Sequence, residues 1–146
     1  MKTVYESFKV IGYSVHGVGV FSGGKQTSSL EVVVKVAVKA KGKKAIVVRG
    51  VADGKVLIEV IDIAMRNTLA PFFPAVASMS LVERRVHEEH SNGDVKSLAR
   101  VRVAFFNGQL RCSGEECSEN LIDASLGSVV KGLKKGLLYL SASAKS

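Results

Sequence analysis

Gly114-Glu115-Glu116-Cys117-Ser118-Glu119-Asn120-Leu121-Ile122-Asp123-Ala124-Ser125 joins a strand-like run to a helix-like one. Its glycine closes a strand-like run from Val101 to Cys112, a short polar loop follows, and Ser118 stands where a serine caps a helix whose first apolar pair is Leu121-Ile122. The stretch therefore reads as a strand-to-helix corner. The same corner occurs earlier, where Gly50 ends the run Ala45 to Arg49 and Leu57-Ile58 follow it at the spacing by which Leu121-Ile122 follow Gly114. One unit is used twice.

Outward from the first corner, Phe8 to His16 is rich in strand-favouring residues, and Gly17 to Gly24 reads as a flexible loop. Leu30, Val32, Val34, Val36 and Val38 alternate with Glu31, Lys35 and Lys39, the period of a half-buried strand. Lys41-Gly42-Lys43-Lys44 turns the chain into a third, antiparallel strand, Ala45 to Arg49. Beyond Gly50 the apolar positions 57, 60, 61, 64, 65 and 69 share one helical face, which predicts a helix over 54–69 capped by Asp53 and stopped by Pro71. Its β-branched residues make it weak in isolation, so packing must hold it.

Residues 71–80 hold both prolines and read as the connector. The second half repeats the order: Leu81 to Glu89 as a strand, Ser91 to Asp94 as a loop, then Ala99, Val101, Val103 and Phe105 alternating with Arg100, Arg102 and Ala104. Asn107-Gly108 is a strong hairpin signal. A helix over 118–135 follows, with Leu121, Ala124, Ser125, Ser128, Val129, Gly132 and Leu133 on one face and Gly136 as its stop. Superposing the central strands at an offset of 68 sets valines on arginines, whereas 67 sets Val32, Val34, Val36 and Val38 on Ala99, Val101, Val103 and Phe105. The expectation is an α+β fold of two β-β-β-α units, at about 8–70 and 81–138, in a single domain over 1–146.

Hydrophobic residues make up 47% and charged residues 23%, a globular rather than disordered composition. No apolar run reaches the ~18–20 residues of a membrane span, and the first residues lack a signal-peptide core, so a cytoplasmic location without membrane contact is expected. The formal net charge of +8 raises polyanion binding, with the basic residues gathered in Lys35, Lys39, Lys41, Lys43, Lys44 and Arg49, and again in Lys131, Lys134 and Lys135. A solvated hairpin tip and a helix C-terminus account for both groups without a partner. Cys112 and Cys117 have no zinc spacing; they read as reduced thiols, or as a disulfide closing the corner.

His87-Glu88-Glu89-His90 lacks the paired histidines of a helical zinc motif and falls in a predicted strand. Ser118, Ser125 and Cys117 have no recognisable base, so no catalytic residue, metal or cofactor is assigned and the chain is not read as an enzyme. The corners remain the best place for a ligand, because a helix N-terminus offers free N–H groups and a favourable dipole to a carboxylate. The plainer alternative is that they are well-capped turns.

Two β-β-β-α units, with Gly114, Ser118, Asn120, Leu121, Ile122, Asp123, Ala124 and Ser125 opening the second helix, resemble the C-terminal allosteric domain of 2-isopropylmalate synthase and its relatives, homocitrate and citramalate synthases. Glu116 stands where that family has a second glycine, and Gly50-Val51-Ala52-Asp53 where it has G-x-G-P. The resemblance implies a regulatory and dimerisation module that binds a small carboxylate effector, leucine in the commonest case, at Gly50, Val51, Ala52, Asp53, Gly54, Gly114, Glu116, Cys117, Ser118, Asn120 and Ala124. It implies a homodimer, to which the small-residue face Ala124, Ser125, Ser128 and Gly132 is suited, and, without the catalytic barrel, a stand-alone subunit with a separate synthase as partner. The competing reading is an RNA-binding module. Glu115, Glu116 and Glu119 occupy the helix start where such a module needs lysines, so it would use Lys39, Lys41, Lys43, Lys44 and Arg49 instead.

Overall fold

The valine alternation of the central strand organises the first unit. The computed structural model describes residues 4–22, 25–90 and 97–144. Strands β1 (Tyr5–Ser22), β2 (Lys25–Ala40) and β3 (Ile46–Gly54) form one antiparallel sheet in that order, followed by helix α1 (Leu57–Leu69). A short 3-10 helix (Pro74–Ser78) leads to a second antiparallel sheet of β4 (Ser80–His90), β5 (Ser97–Phe106) and β6 (Arg111–Ser118), followed by helix α2 (Leu121–Ala144). The fold is α+β, two β-β-β-α units. The chain divides into two compact bodies, Met1–Pro74 and Ala75–Ser146.

In the first body Val32, Val34, Val36 and Val38 are sealed beneath α1, whose Val60, Ile61, Ala64, Met65 and Leu69 are buried. Burying side chains of this kind contributes roughly 1.5–3 kcal/mol each, which offsets the poor helix propensity of a β-branched sequence. Phe8 of β1 packs edge-on against Phe73, with ring centroids 5.8 Å apart, and Tyr5 against Phe72 at 4.9 Å. The apolar connector thus begins as packing for the first body. In the second body Val101, Val103 and Phe105 face α2, which buries Ala124, Val129 and Leu133.

Two glycines let each helix lie on its sheet. Gly50 pairs with Val34, and a Cβ there would collide with Thr68 Oγ1 and come 3.3 Å from Ala64 O; Gly114 pairs with Val103, and its Cβ would collide with Ser128 O. The two contacts are equivalent, since residues 50, 64 and 68 correspond to 114, 128 and 132, an offset of 64. The central strands then align at 69, the difference between positions 103 and 34, rather than at the expected 67. The odd parity that keeps valines inward is right; the register is two residues off because glycines, not valines, fix it. Both first strands are bulged, β1 at Glu6 and Ile11 and β4 at Val82.

Several expected boundaries move. Gly17 to Ser22 belongs to β1, because pairing with β2 from Gly17↔Leu30 to Ser22↔Lys25 outweighs glycine flexibility. Gly50 and Gly114 lie inside β3 and β6 rather than closing them, and the helices begin at Leu57 and Leu121, not 54 and 118. Asp53 does not cap α1; it is a β3 residue opposite Glu31. Gly136 does not stop α2, since the helix runs on to Ala144 and the missing Cβ makes room for Met79 and Cys112. Both hairpin turns are as expected: Gly42 and Gly108 take positive φ (72° and 99°), and Asn107 Oδ1 accepts from the N–H groups of Gln109 and Leu110 at 2.9 and 2.7 Å. The expected loops at Gly23-Gly24 and Ser91 to Asp94 lie outside the described residues. No helix among the described residues is long and apolar enough to cross a membrane.

Candidate functional site

The true corners are the short links from β3 to α1 and from β6 to α2. At the first, Val56 occupies the N-cap position in extended conformation (φ −109°, ψ 118°) and makes no side-chain capping bond, and Glu59 stands in the first turn. The first backbone bond runs from Val60 N–H to Val56 O at 3.0 Å, so Leu57 and Ile58 precede the helix's own ladder. A Cβ on Gly54 would approach Val60 Cγ2 to 2.8 Å, which keeps the backbone close to the helix start.

The second corner is closed by its own side chains. Asn120, not Ser118, is the cap: its Oδ1 accepts from the N–H groups of Ile122 at 2.8 Å and Asp123 at 3.3 Å. Ser118 Oγ accepts from Asn120 N–H at 3.1 Å and holds the cap residue in place. Asp123 in the first turn suits the positive end of the dipole. Asparagine caps a helix as readily as serine, and the extension of β6 to Ser118 moves the helix boundary on to Asn120.

The expected site residues do not form one surface. Residues paired across a ladder share a face, so Gly50, Ala52 and Gly54 look toward α1 with Val34, Val32 and Leu30, while Val51 and Asp53 look the other way. Gly114, Glu116 and Ser118 likewise look toward α2, and Cys117 looks away, opposite Arg100. Gly114 and Ala124 are buried, so neither can touch a ligand in this conformation, and Gly50 lies half-buried against Thr68. Glu116 Oε2 pairs with Lys131 Nζ at 2.7 Å, and its stem lies against Gly127. The charge that would repel a carboxylate is thereby partly neutralised.

The small-residue face of α2 is consumed by its own sheet. Ser125 and Ser128 are fully buried, a Cβ on Gly132 would press Phe105, and Ser128 Oγ donates to Ser125 O at 2.8 Å. Ser125 Oγ has no hydrogen-bond partner among the described residues. Cys112 is buried and Cys117 exposed, both as free thiols. Five residues apart on one strand, they lie about 16 Å apart on opposite faces, beyond the ~7 Å reach of a disulfide. Burial pushes the Cys112 thiol up, against the opposing pull of Lys135. His87 is exposed opposite Arg100, and Lys39, Lys41, Lys43, Lys44 and Arg49 are exposed on and beside the first hairpin.

No protein-family model matches the chain. The (R)-citramalate synthase of Synechocystis sp. is 27% identical over 134 residues, which cover 92% of this chain and 24% of that synthase. The (R)-citramalate synthase of Sulfolobus acidocaldarius is 29% identical over 83 residues, 57% of this chain and 16% of the enzyme. The chain thus spans about a quarter, or less, of the relatives it matches. These relatives are enzymes by name, and the match takes in only a part of each. Over nearly all of its length the chain is similar to a segment of (R)-citramalate synthase, within the synthase group that its sequence resembles.

Proposed function

We propose that the chain is a regulatory ligand-binding and dimerisation module of the 2-isopropylmalate and citramalate synthase type, without catalytic activity of its own. The observation that carries this reading is the 134-residue similarity, which is long enough to take in both units. The effector is a small carboxylate metabolite, such as a branched-chain amino or keto acid, and its regulatory partner is the catalytic part of such a synthase. Of the two corners the first suits the carboxylate better, because Val56 leaves α1 uncapped while Asn120 already fills the equivalent place on α2. Gly54 and Val56 replace Gly50 and Gly114 as the residues nearest the ligand. Dimerisation must use a surface other than the buried serine and glycine face of α2.

A thermal-shift screen of branched-chain amino acids, their keto acids and citramalate tests the reading. A compound at a hundred times its dissociation constant stabilises the fold by ~2.7 kcal/mol, a shift of a few degrees for a chain of this size. Val56→Asp places a carboxylate in the proposed site and abolishes the shift while the variant stays folded. A full set of compounds without any shift contradicts the proposal.

A further inference from the structure

The outer face of the first sheet, the side away from α1, segregates its charges. Lys9 of β1, Lys35 and Lys39 of β2 and Arg49 of β3 share the half nearest the β2–β3 turn, and the turn itself adds Lys41, Lys43 and Lys44. Glu31 and Asp53 share the far half. Lys35 and Arg49 are direct cross-strand partners, an arrangement that is destabilising unless something neutralises it. Within the described residues, Lys9, Lys35, Lys39 and Arg49 form no ion pair.

The second sheet is also rich in arginine on its outer face, and most of that charge is answered there. Glu83 bridges Arg85, at 2.7 Å, and Arg111, while Arg100 meets Glu115 at 3.4 Å. The second sheet thus pairs Arg85, Arg100 and Arg111 and leaves Arg102, whereas within the described residues the first pairs none of Lys9, Lys35, Lys39 and Arg49. We infer that the cationic half of the first sheet binds the phosphate backbone of duplex nucleic acid, an activity separate from effector binding.

Three strands set these cations over a flat patch about 10 Å wide and about 20 Å long, on the scale of successive phosphates along and across a groove. Among the described residues the aromatic ring on this face is that of His16, opposite Glu31 in the far half, so the cationic half itself suits a duplex rather than a stacked single strand. Contacts of this kind go to phosphates and carry no base readout, so binding is independent of sequence.

The test is fluorescence anisotropy with 20-base-pair duplexes of DNA and of RNA against salt. Both duplexes should bind at 50 mM salt, whatever their sequence, and for about five phosphate contacts the DNA affinity should fall about 500-fold by 200 mM. Lys35→Gln with Arg49→Gln should lower the salt slope by about 2, whereas Arg85→Gln with Arg102→Gln on the second sheet should leave it unchanged. All four side chains are exposed, and circular dichroism confirms that each double variant keeps its fold. Failure of both duplexes to bind at 50 mM salt overturns the inference. So does an equal loss from both double variants, which marks diffuse net charge, or binding to phosphatidylserine vesicles alone. None of these outcomes bears on the amino- and keto-acid screen.

Discussion

Gly50 and Gly114 are equivalent residues with different neighbours, and the difference is measurable. The Cβ of Gly50→Ala meets a side-chain oxygen, Thr68 Oγ1, whereas that of Gly114→Ala meets the backbone oxygen of Ser128. Overpacking of this sort costs about 1–3 kcal/mol, and more where backbone must move. Thr68→Ala should therefore recover part of the loss in Gly50→Ala, while Ser128→Ala should recover none in Gly114→Ala; urea denaturation of the singles and doubles reads both. Equal rescue at the two sites would count against the packing described. Asp62 offers a second residue-scale test. It is buried, bonded to Arg66 Nε at 2.8 Å and NH2 at 2.7 Å, and burial raises its pKa despite that arginine. The folded chain then holds this proton more tightly than the unfolded chain, so the contribution to stability is full below the ordinary value of 3.8 and is lost as pH rises through the raised one. Relative to Asp62→Asn, the native protein should gain stability as pH falls from 7 toward 4. A growing advantage at higher pH contradicts the assignment. The sequence marked both glycines as special but misread the reason: a glycine after a strand-like run looks the same whether it ends the strand or lies beneath a helix.

At the scale of elements, the two helix starts should respond oppositely to substitution. Asn120→Ala removes the side chain that satisfies Ile122 and Asp123 and should cost roughly 0.5–2 kcal/mol. Val56→Ser supplies a cap that α1 lacks and should stabilise by up to ~1 kcal/mol. Thermal melts of both variants check the pair, and a stabilising Asn120→Ala would refute the cap. Elements with strong periodicity were legible from sequence: Val32 to Val38, Val101 to Phe105 and the face of α1 through Leu69 lie where alternation and 3.6-residue spacing put them. Their ends were not, because strand pairing carries β3 through Gly54 and β6 through Ser118, and no local signal announces the ladder partners Leu30 and Ala99, about twenty residues away. Gly136 misled for a related reason, since a glycine that stops a helix and one that admits Met79 are alike in sequence.

For the whole molecule, the repeat was legible from the two matched corners, yet the candidate site was only partly so. Alternation of strand faces separates Val51, Asp53 and Cys117 from the rest, and the asymmetry between an open and a closed helix start appears only once the caps are known. Fold-level stability rests on inward positions such as Val101, which is fully buried. Val101→Asp places a charge there at a cost of several kcal/mol and should yield insoluble or unfolded protein; a cooperatively melting, soluble variant would defeat the core assignment. Whether a small carboxylate is bound at the open corner of the first unit is read by amide chemical-shift mapping with the best compound from the screen. Saturable shifts centred on Gly54, Val56, Leu57 and Ile58, and absent in Val56→Asp, are expected. Shifts confined to the Lys41–Lys44 turn, or none at saturating ligand, would contradict the proposed site.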